Sequence, residues 1–131
     1  MGADTELWKQ WESLYKKNDW AGLTAMFTSN GVFIDPYGRR EGRDTVGAFI
    51  AGWDKAFSDI SMETSLVVGD DDTVMVEWTF RAMNTGPLGP GVAATGRTLV
   101  VEVVTVGRIR DGNFTSIREY YDTADVTRQL G

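Results

Sequence analysis

Apolar residues in the first half of the chain recur at intervals of three and four, the spacing of amphipathic helices. This spacing predicts one helix over residues 5–17, a short helix over residues 20–27, and a third that begins at Arg43. Asp19 can cap the second helix, and Gly31 follows its end as a C-terminal cap would. The apolar stripes of the two longer helices are Leu7, Trp8, Trp11, Leu14 and Tyr15, and Val46, Phe49, Ile50, Trp53 and Phe57.

The second half of the chain alternates between apolar and polar residues, which predicts strands. A short apolar strand over residues 32–34 already precedes the third helix and ends at Asp35. Four longer strands are expected over residues 61–68, 73–83, 98–109 and 114–121. In the second of these, one side carries Val74, Val76, Trp78 and Phe80, and the other carries Met75, Glu77, Thr79 and Arg81.

Segregated helices and strands of this kind predict an α+β fold. Asp111-Gly112 supplies a tight turn between the last two strands, and a loop rich in Gly and Pro covers residues 84–94. We therefore expect a single domain over residues 1–131, in which a curved antiparallel sheet has three N-terminal helices packed over its concave face. The result would be a cone with an apolar interior, a favourable place for a small-molecule pocket.

Composition narrows the chemistry of any active site. The 131 residues include no Cys and no His, which excludes thiolate nucleophiles, Ser–His dyads, imidazole bases and most zinc and non-haem iron sites. The acid and base groups of an enzyme would have to be carboxylates, helped by Tyr or Arg. No metal ion or organic cofactor is expected.

Charge and hydropathy bear on partners and location. The net charge is −6 and no run of Lys or Arg is present, which argues against nucleic acid and anionic membranes as partners. No apolar run approaches membrane-spanning length, and the N-terminus lacks the basic and apolar segments of a signal peptide. A cytoplasmic location is therefore the expectation.

Asp35 is the first candidate for chemistry. It stands where an apolar strand runs into Pro36 and Gly38, and strand ends are common places for residues that meet a ligand. The alternative interpretation is that Asp35 only shapes the turn, since Asp-Pro is frequent turn chemistry.

Glu102 is the second candidate, because it lies inside a run of β-branched residues. A carboxylate there is expected to be at least half buried, and an unpaired buried carboxylate has a raised pKa. Glu102 would then be a neutral acid that donates a hydrogen bond or a proton. Alternatively, the strand is two-sided and Glu102 faces solvent or an Arg across the sheet.

Other polar and aromatic residues fit either a functional site or a purely structural role. Glu63, Glu77 and Arg81 fit a solvated strand face as well as a site. Asp122 either points into the mouth of the cone or caps the tail over residues 123–131. The residues that we expect to contact a substrate are Tyr15, Trp11, Tyr37, Trp53, Glu63, Trp78 and Tyr121, although the Trp side chains also suit a core.

Three segments resemble the nuclear transport factor 2-like superfamily, in the branch that holds ketosteroid isomerases and SnoaL-like polyketide cyclases. They are residues 18–27, with Asn18-Asp19-Trp20-Ala21-Gly22-Leu23; residues 33–44, with Phe33-Ile34-Asp35-Pro36-Tyr37-Gly38; and residues 111–131, with Asp111-Gly112-Asn113-Phe114, Tyr121-Asp122 and Arg128-Gln129-Leu130-Gly131. Thr95-Gly96-Arg97 is also similar to the family's strand entry. The resemblance implies a cone-shaped fold and, in this family, a homodimer.

The same resemblance implies roles for two carboxylates. By position, Asp35 would be the proton-abstracting base and Asp122 would match the C-terminal Asp of SnoaL-like cyclases. The ketosteroid isomerase oxyanion hole is not reproduced, because Trp11 stands at its Tyr position, with Tyr15 one turn later, and Glu102 lies two residues from its Asp position. The His that many SnoaL-like sequences carry before a Thr-Gly pair is Asn84 here.

Two functional hypotheses follow. The first is a cofactor-free enzyme on an apolar, polyketide-like substrate, with Asp35, Glu102 and Asp122 as catalytic carboxylates and cyclisation, isomerisation or epoxide opening as the reaction. The second is a non-catalytic small-molecule binding or dimerisation domain. Catalysis predicts that at least two carboxylates converge on an apolar cavity and that one of them has a raised pKa.

Overall fold

The computed structural model describes residues 3–131, and within that range the chain forms four helices and six strands. The helices are α1 (Ala3–Lys16), α2 (Trp20–Ala25), α3 (Arg43–Ala56) and α4 (Thr123–Leu130). The strands are β1 (Phe27–Asp35), β2 (Gly38–Glu41), β3 (Phe57–Gly69), β4 (Thr73–Asn84), β5 (Thr98–Arg110) and β6 (Asn113–Tyr120). The predicted α+β class and cone-shaped fold are confirmed.

All six strands belong to one curved, unclosed sheet in the order β2-β1-β6-β5-β4-β3. Neighbouring strands are antiparallel except β1 and β6, which run parallel, so the expectation of a wholly antiparallel sheet was wrong at this one pair. The parallel pair brings the end of β1 beside the end of β6.

The sheet has one buried face and one exposed face. Along β4, Val74, Val76 and Trp78 are buried while Met75 and Glu77 are exposed, as the alternation predicts. The helices cover the buried face with aromatic side chains. Trp11 of α1, for example, packs edge-on against Phe27 and Phe114.

Two elements were not anticipated. The chain turns back after Asp35 in a tight hairpin that pairs Asp35 with Gly38, and this makes the short strand β2. The polar residues of β2, Arg39 and Arg40 among them, hid it from the hydrophobic pattern. The tail forms the helix α4, which was not predicted, although the interpretation of Asp122 as a cap of the tail is confirmed.

The outer face of the sheet carries a row of exposed apolar residues. Leu66, Val104 and Tyr120 align across β3, β5 and β6, with exposed Glu77 of β4 between Leu66 and Val104. Val68 and Met75 lie one step along. The homodimer implied by the resemblance stays a prediction, and this face is its natural candidate. Within residues 3–131, none of the helices combines the length and the apolar character needed to cross a lipid bilayer.

Asn84 holds the loop between β4 and β5. Its buried side chain donates to the carbonyls of Ala56 (3.0 Å) and Gly86 (2.9 Å) and accepts from the amide (2.8 Å) and hydroxyl (3.0 Å) of Thr95. One side chain therefore joins the end of α3 to both ends of the loop.

Asn84→Ala is expected to destabilise the protein by roughly 2–4 kcal/mol, because several buried groups lose their partners together. Urea unfolding measures the change. The matched control is Asn30→Ala, since Asn30 lies exposed in β1 and its side chain accepts one hydrogen bond, from Thr28. Equal effects of the two substitutions would contradict the conclusion that the Asn84 side chain holds the loop between β4 and β5.

Candidate functional site

A cavity of about 590 Å³ opens on the inner face of the sheet, a size suited to a small organic molecule. Its walls are largely apolar and aromatic, with Phe49, Trp53, Phe57, Trp78, Phe80, Leu88, Leu99, Val101 and Val103 among them. The polar groups that reach it come from α1, the β1–β2 hairpin and the end of β6. They are Tyr15, Asp35, Tyr37, Arg40, Glu119 and Tyr121.

Asp35 ends β1, and one of its oxygens shapes the hairpin. Oδ1 accepts hydrogen bonds from the amides of Tyr37 (2.9 Å) and Gly38 (3.2 Å) and from Nη1 of Arg40 (2.6 Å). The ion pair with Arg40 is well shielded, since the Asp35 side chain is 5% exposed and that of Arg40 is 19% exposed. The turn role that we considered as the alternative for Asp35 is therefore real, but it occupies a single oxygen.

The second oxygen of Asp35 faces a different set of groups. Oδ2 accepts one hydrogen bond among residues 3–131, from the hydroxyl of Tyr121 at 3.3 Å. Burial and the negative charge of Asp35 raise the pKa of Tyr121, so its hydroxyl stays protonated and keeps donating. Oδ2 therefore retains a lone pair for a substrate proton, while Oδ1 anchors the carboxylate.

The sheet register brings a second carboxylate beside the first. Phe33 pairs with Ile117 and Ile34 with Arg118, so Asp35 and Glu119 lie one residue further along two neighbouring parallel strands. Phe33 and Ile117 are both buried, and residues two apart in a strand share a face. Asp35 and Glu119 therefore both point inward, on strands about 4.8 Å apart.

Glu119 is held in its neutral form. Burial, and next the nearby charge of Asp35, raise its pKa from 4.5 to about 8, although a hydrogen bond from Thr105 and the charge of Arg40 act in the opposite direction. At neutral pH the cavity thus presents a carboxylate and a carboxylic acid side by side. Such a pair can take a proton with one member and donate a hydrogen bond or a proton with the other.

Two tyrosines add neutral donors. Tyr15 is buried on α1, and burial raises its pKa well above the usual value. The charge that Glu119 carries above its own pKa acts in the same direction. Burial and Asp35 raise the pKa of Tyr37 in the hairpin. Both hydroxyls therefore remain protonated across the physiological range.

Glu102 does not belong to this site. It is exposed on the outer face of β5, beside Glu77 and Thr79, while its neighbours Val101 and Val103 point inward. The predicted burial of Glu102 was wrong because the outer face also carries apolar residues such as Val104, so an apolar run did not mean two buried faces. Asp35 and Glu102 lie on opposite faces of the sheet and cannot act on one substrate together.

Three further predicted site residues lie outside the cavity lining. Asp122 is exposed and caps α4, where its Oδ1 accepts from the amides of Ala124 (2.9 Å) and Asp125 (3.2 Å). Trp11 lies in the core, and Glu63 is exposed on the same outer face as Glu102. The predicted residues that do line the cavity are Asp35, Tyr15, Tyr37, Trp53, Trp78 and Tyr121.

Sequence reasoning missed Glu119 and Arg40. Strand alternation contained the signal for Glu119, because Glu119 follows apolar Ile117 by two residues as Asp35 follows Phe33. Arg40 lies in the unanticipated strand β2. Its guanidinium carbon is 3.7 Å from the centroid of the Phe49 ring. Among the described residues, no group of three or more carboxylates is placed to hold a metal ion.

Comparison with solved structures shows the fold in other proteins. A protein provisionally named as a polyketide cyclase, from Xanthomonas campestris pv. campestris, superposes with a TM-score of 0.83 at 21% identity, over 98% of this chain and 97% of the other. A SnoaL-like polyketide cyclase of Jannaschia sp. CCS1, also so named provisionally, gives a TM-score of 0.82 at 22% identity, over 97% and 92%. TsrD from Streptomyces laurentii gives a TM-score of 0.83 at 24% identity, over 98% of this chain and 95% of the other.

Sequence comparison gives the family. No curated protein matches the sequence. The family model described as SnoaL-like domain matches residues 8–117, which include both β1 and most of β6. The chain belongs to the SnoaL-like family, and its fold is the nuclear transport factor 2-like, ketosteroid isomerase-like fold that the resemblance implied.

Proposed function

We propose that the protein is a cofactor-independent acid/base enzyme of the cyclase or isomerase type, acting on an apolar, polyketide-like substrate. One observation carries the proposal: Asp35 and Glu119 reach the same apolar cavity. Asp35 is ion-paired with Arg40, whereas Glu119 is neutral below its pKa of about 8. This is the arrangement expected of a catalytic site, with Glu119 in the place first assigned to Glu102.

Asp35 is the base in this proposal. Its Oδ2 takes a proton from a carbon next to a substrate carbonyl, and the electrons of that C–H bond form an enolate. Hydrogen bonds from the Arg40 guanidinium and the hairpin amides to Oδ1 hold the carboxylate in place. A general base so positioned contributes roughly a hundred- to ten-thousand-fold to the rate.

Glu119 stabilises the product of that step. Its protonated carboxyl donates a hydrogen bond to the enolate oxygen, and the Tyr15 hydroxyl lines the same cavity as a second donor. In a cyclisation the enolate attacks an internal carbonyl to form a C–C bond, and the alkoxide so formed takes the proton that Asp35 holds. In an isomerisation the enolate instead takes that proton back at another carbon. Asp35 is ionised again at the end of either reaction. Preorganised donors of this kind stabilise the transition state by several kcal/mol, of the order of 3.

The comparisons support this reaction type. The chain belongs to the SnoaL-like family, and two of its structural neighbours carry the provisional name of polyketide cyclase. The aromatic walls formed by Phe49, Trp53 and Trp78 suit a flat, apolar substrate.

The same two groups would also open an epoxide. Asp35 would take a proton from water or a substrate hydroxyl as it attacks carbon, and Glu119 would protonate the leaving oxygen. A neutral acid beside an ionised base favours this alternative as much as the first. Substrate panels must therefore include both ketones and epoxides.

The test detects proton abstraction without knowledge of the natural product. Bicyclic and tricyclic ketones that carry a C–H next to the carbonyl are incubated with the protein in D₂O, and mass spectrometry follows deuterium uptake. We expect exchange above the buffer rate for ketones that fit the cavity. Epoxides of similar size are incubated in H₂¹⁸O, where the label in a diol reports hydrolysis.

A non-catalytic binding domain predicts a different result. Ligands would bind, as tryptophan fluorescence would show, but neither panel would react above background. That outcome would overturn the enzyme proposal. The exposed apolar row on the outer sheet face, which includes Leu66 and Tyr120, would then favour an assembly role.

A further inference from the structure

We propose that Trp78 and Thr105 are positioning residues that fix which oxygen of Glu119 carries the acidic proton. The inference rests on the proposed function, because it concerns the acid that Glu119 supplies. It assigns the proton to Oε1 and leaves Oε2 as a permanent acceptor. The basis is a chain of hydrogen bonds across three adjacent strands.

The chain of hydrogen bonds begins at Trp78 on β4. Its Nε1 donates to Oγ1 of Thr105 on β5 at 2.8 Å, and that hydroxyl donates to Oε2 of Glu119 on β6 at 3.3 Å. Trp78 is 3% exposed and Thr105 is 1% exposed, so the bond between these two side chains is shielded from water. We name this set the cavity relay.

Donor and acceptor chemistry sets the direction of the relay. An indole nitrogen can only donate, so it occupies one of the two lone pairs of the Thr105 oxygen, and the hydroxyl proton needs an acceptor elsewhere. That proton is then directed to Oε2 of Glu119. Because Oε2 accepts, the proton of the neutral carboxyl resides on Oε1, where it is available to a substrate.

The relay also has a predictable effect on the Glu119 titration. A hydrogen bond donated to a carboxylate favours the charged form, so Thr105 holds the pKa lower than burial alone would. Other groups act on Glu119 as well: the charges of Asp35 and Arg40, and the neutral hydroxyls that share its cavity. The hydroxyls belong to Tyr15, Tyr37 and Tyr121. Thr105→Val leaves all of these in place.

The protein contains a second relay of the same composition. Nε1 of Trp8 donates to Oγ1 of Thr64 at 3.4 Å, and Thr64 donates to Oε2 of Glu12. It joins α1 to β3, and none of its members lines the cavity. This outer relay offers a matched control, because replacing Thr64 removes the same hydrogen bonds at a place away from the cavity.

The experiment follows Glu119 by NMR without any substrate. Carboxyl ¹³C shifts report its titration, with Glu119→Gln for assignment, and the five indole ¹H–¹⁵N signals include that of Trp78. We expect the Trp78 signal in the wild type to move with the same midpoint as Glu119. We expect Thr105→Val to raise that midpoint by about one pH unit and to uncouple the Trp78 signal.

The controls separate positioning from general damage. Thr105→Ser should restore both the midpoint and the coupling, whereas Thr64→Val should change neither. Trp78→Phe frees the Thr105 hydroxyl to accept the carboxyl proton, which should also raise the midpoint. It thus provides a second variant if Thr105→Val folds poorly.

An unchanged Glu119 midpoint in folded Thr105→Val, or an equal rise in Thr64→Val, would overturn the inference. Since no substrate is used, this result is independent of the exchange assay. A protein that shows the relay but no ketone or epoxide chemistry would refute the proposed function alone. A protein that shows the chemistry but no midpoint change would refute the relay alone.

Discussion

Asp35→Asn is expected to lower the rate of ketone deuterium exchange by a factor of about 10² to 10⁴, the contribution typical of a general base. Asn keeps an oxygen that can accept from the amides of Tyr37 and Gly38, so the hairpin should survive. It has no lone pair basic enough to take a proton from carbon. Initial rates over a range of pH measure the loss, and circular dichroism checks the fold.

The matched control for this variant is Glu102→Gln. It makes the same chemical change, carboxylate to amide, on the opposite face of the sheet, where Glu102 is exposed. We expect the control to exchange at the wild-type rate. Full activity in Asp35→Asn, or an equal loss in both variants, would remove Asp35 as the base.

The pH profile should carry the signature of the second carboxyl group. Glu119 is a donor only while protonated, and its pKa is about 8. Exchange catalysed by the wild type should therefore fall as pH rises through this value. In Glu119→Gln, which keeps a neutral donor, that alkaline decline should disappear even though the rate at neutral pH is lower.

Asp35, the proposed base, could be found from the sequence because its signal is local. A short apolar strand ends at Asp35, and Pro36 and Gly38 mark the turn, so its place follows from a few neighbouring residues. For Glu119, the proposed acid, alternation indicates only that the side chain points inward, and not that it lies beside Asp35. Its role depends on which strands are neighbours, and the parallel pairing of β1 with β6 joins residues more than 80 positions apart.

The mistaken choice of Glu102 has an instructive physical cause. Its flanking residues are apolar on both faces of β5, and the exposed face carries Val104 as well as Glu102. A run of β-branched residues favours a strand, but it does not tell a strand with two buried faces from one with an apolar outer face. Glu119 has polar neighbours, Arg118 and Tyr120, so no apolar run drew attention to it. Burial came instead from α1 and the β1–β2 hairpin across the cavity.

Glu119→Gln is expected to make the protein markedly more stable at alkaline pH. The folded state raises the pKa of Glu119 from 4.5 to about 8, so it binds this proton more tightly than the unfolded state does. Between these two values the folded state holds more protons, and the free energy of unfolding must fall as pH rises. At about 1.4 kcal/mol per pH unit, the loss between pH 5 and pH 8 amounts to roughly 4 kcal/mol at most.

Gln carries no titrating proton, so it escapes this loss while it can still accept the hydrogen bond from Thr105. Urea unfolding at pH 5, 7 and 9 should show wild type and variant diverging by up to roughly 4 kcal/mol in favour of the variant. Glu102→Gln again supplies the control, because it makes the same change from carboxylate to amide on the exposed outer face of the sheet, away from Asp35 and Glu119. Parallel curves for wild type and Glu119→Gln would mean that Glu119 ionises normally in the folded protein, and the acid half of the proposed mechanism would fall with it. Divergence would show that the protein gives up stability at neutral pH to keep an acid beside a base, a cost that a purely structural cavity has no reason to bear.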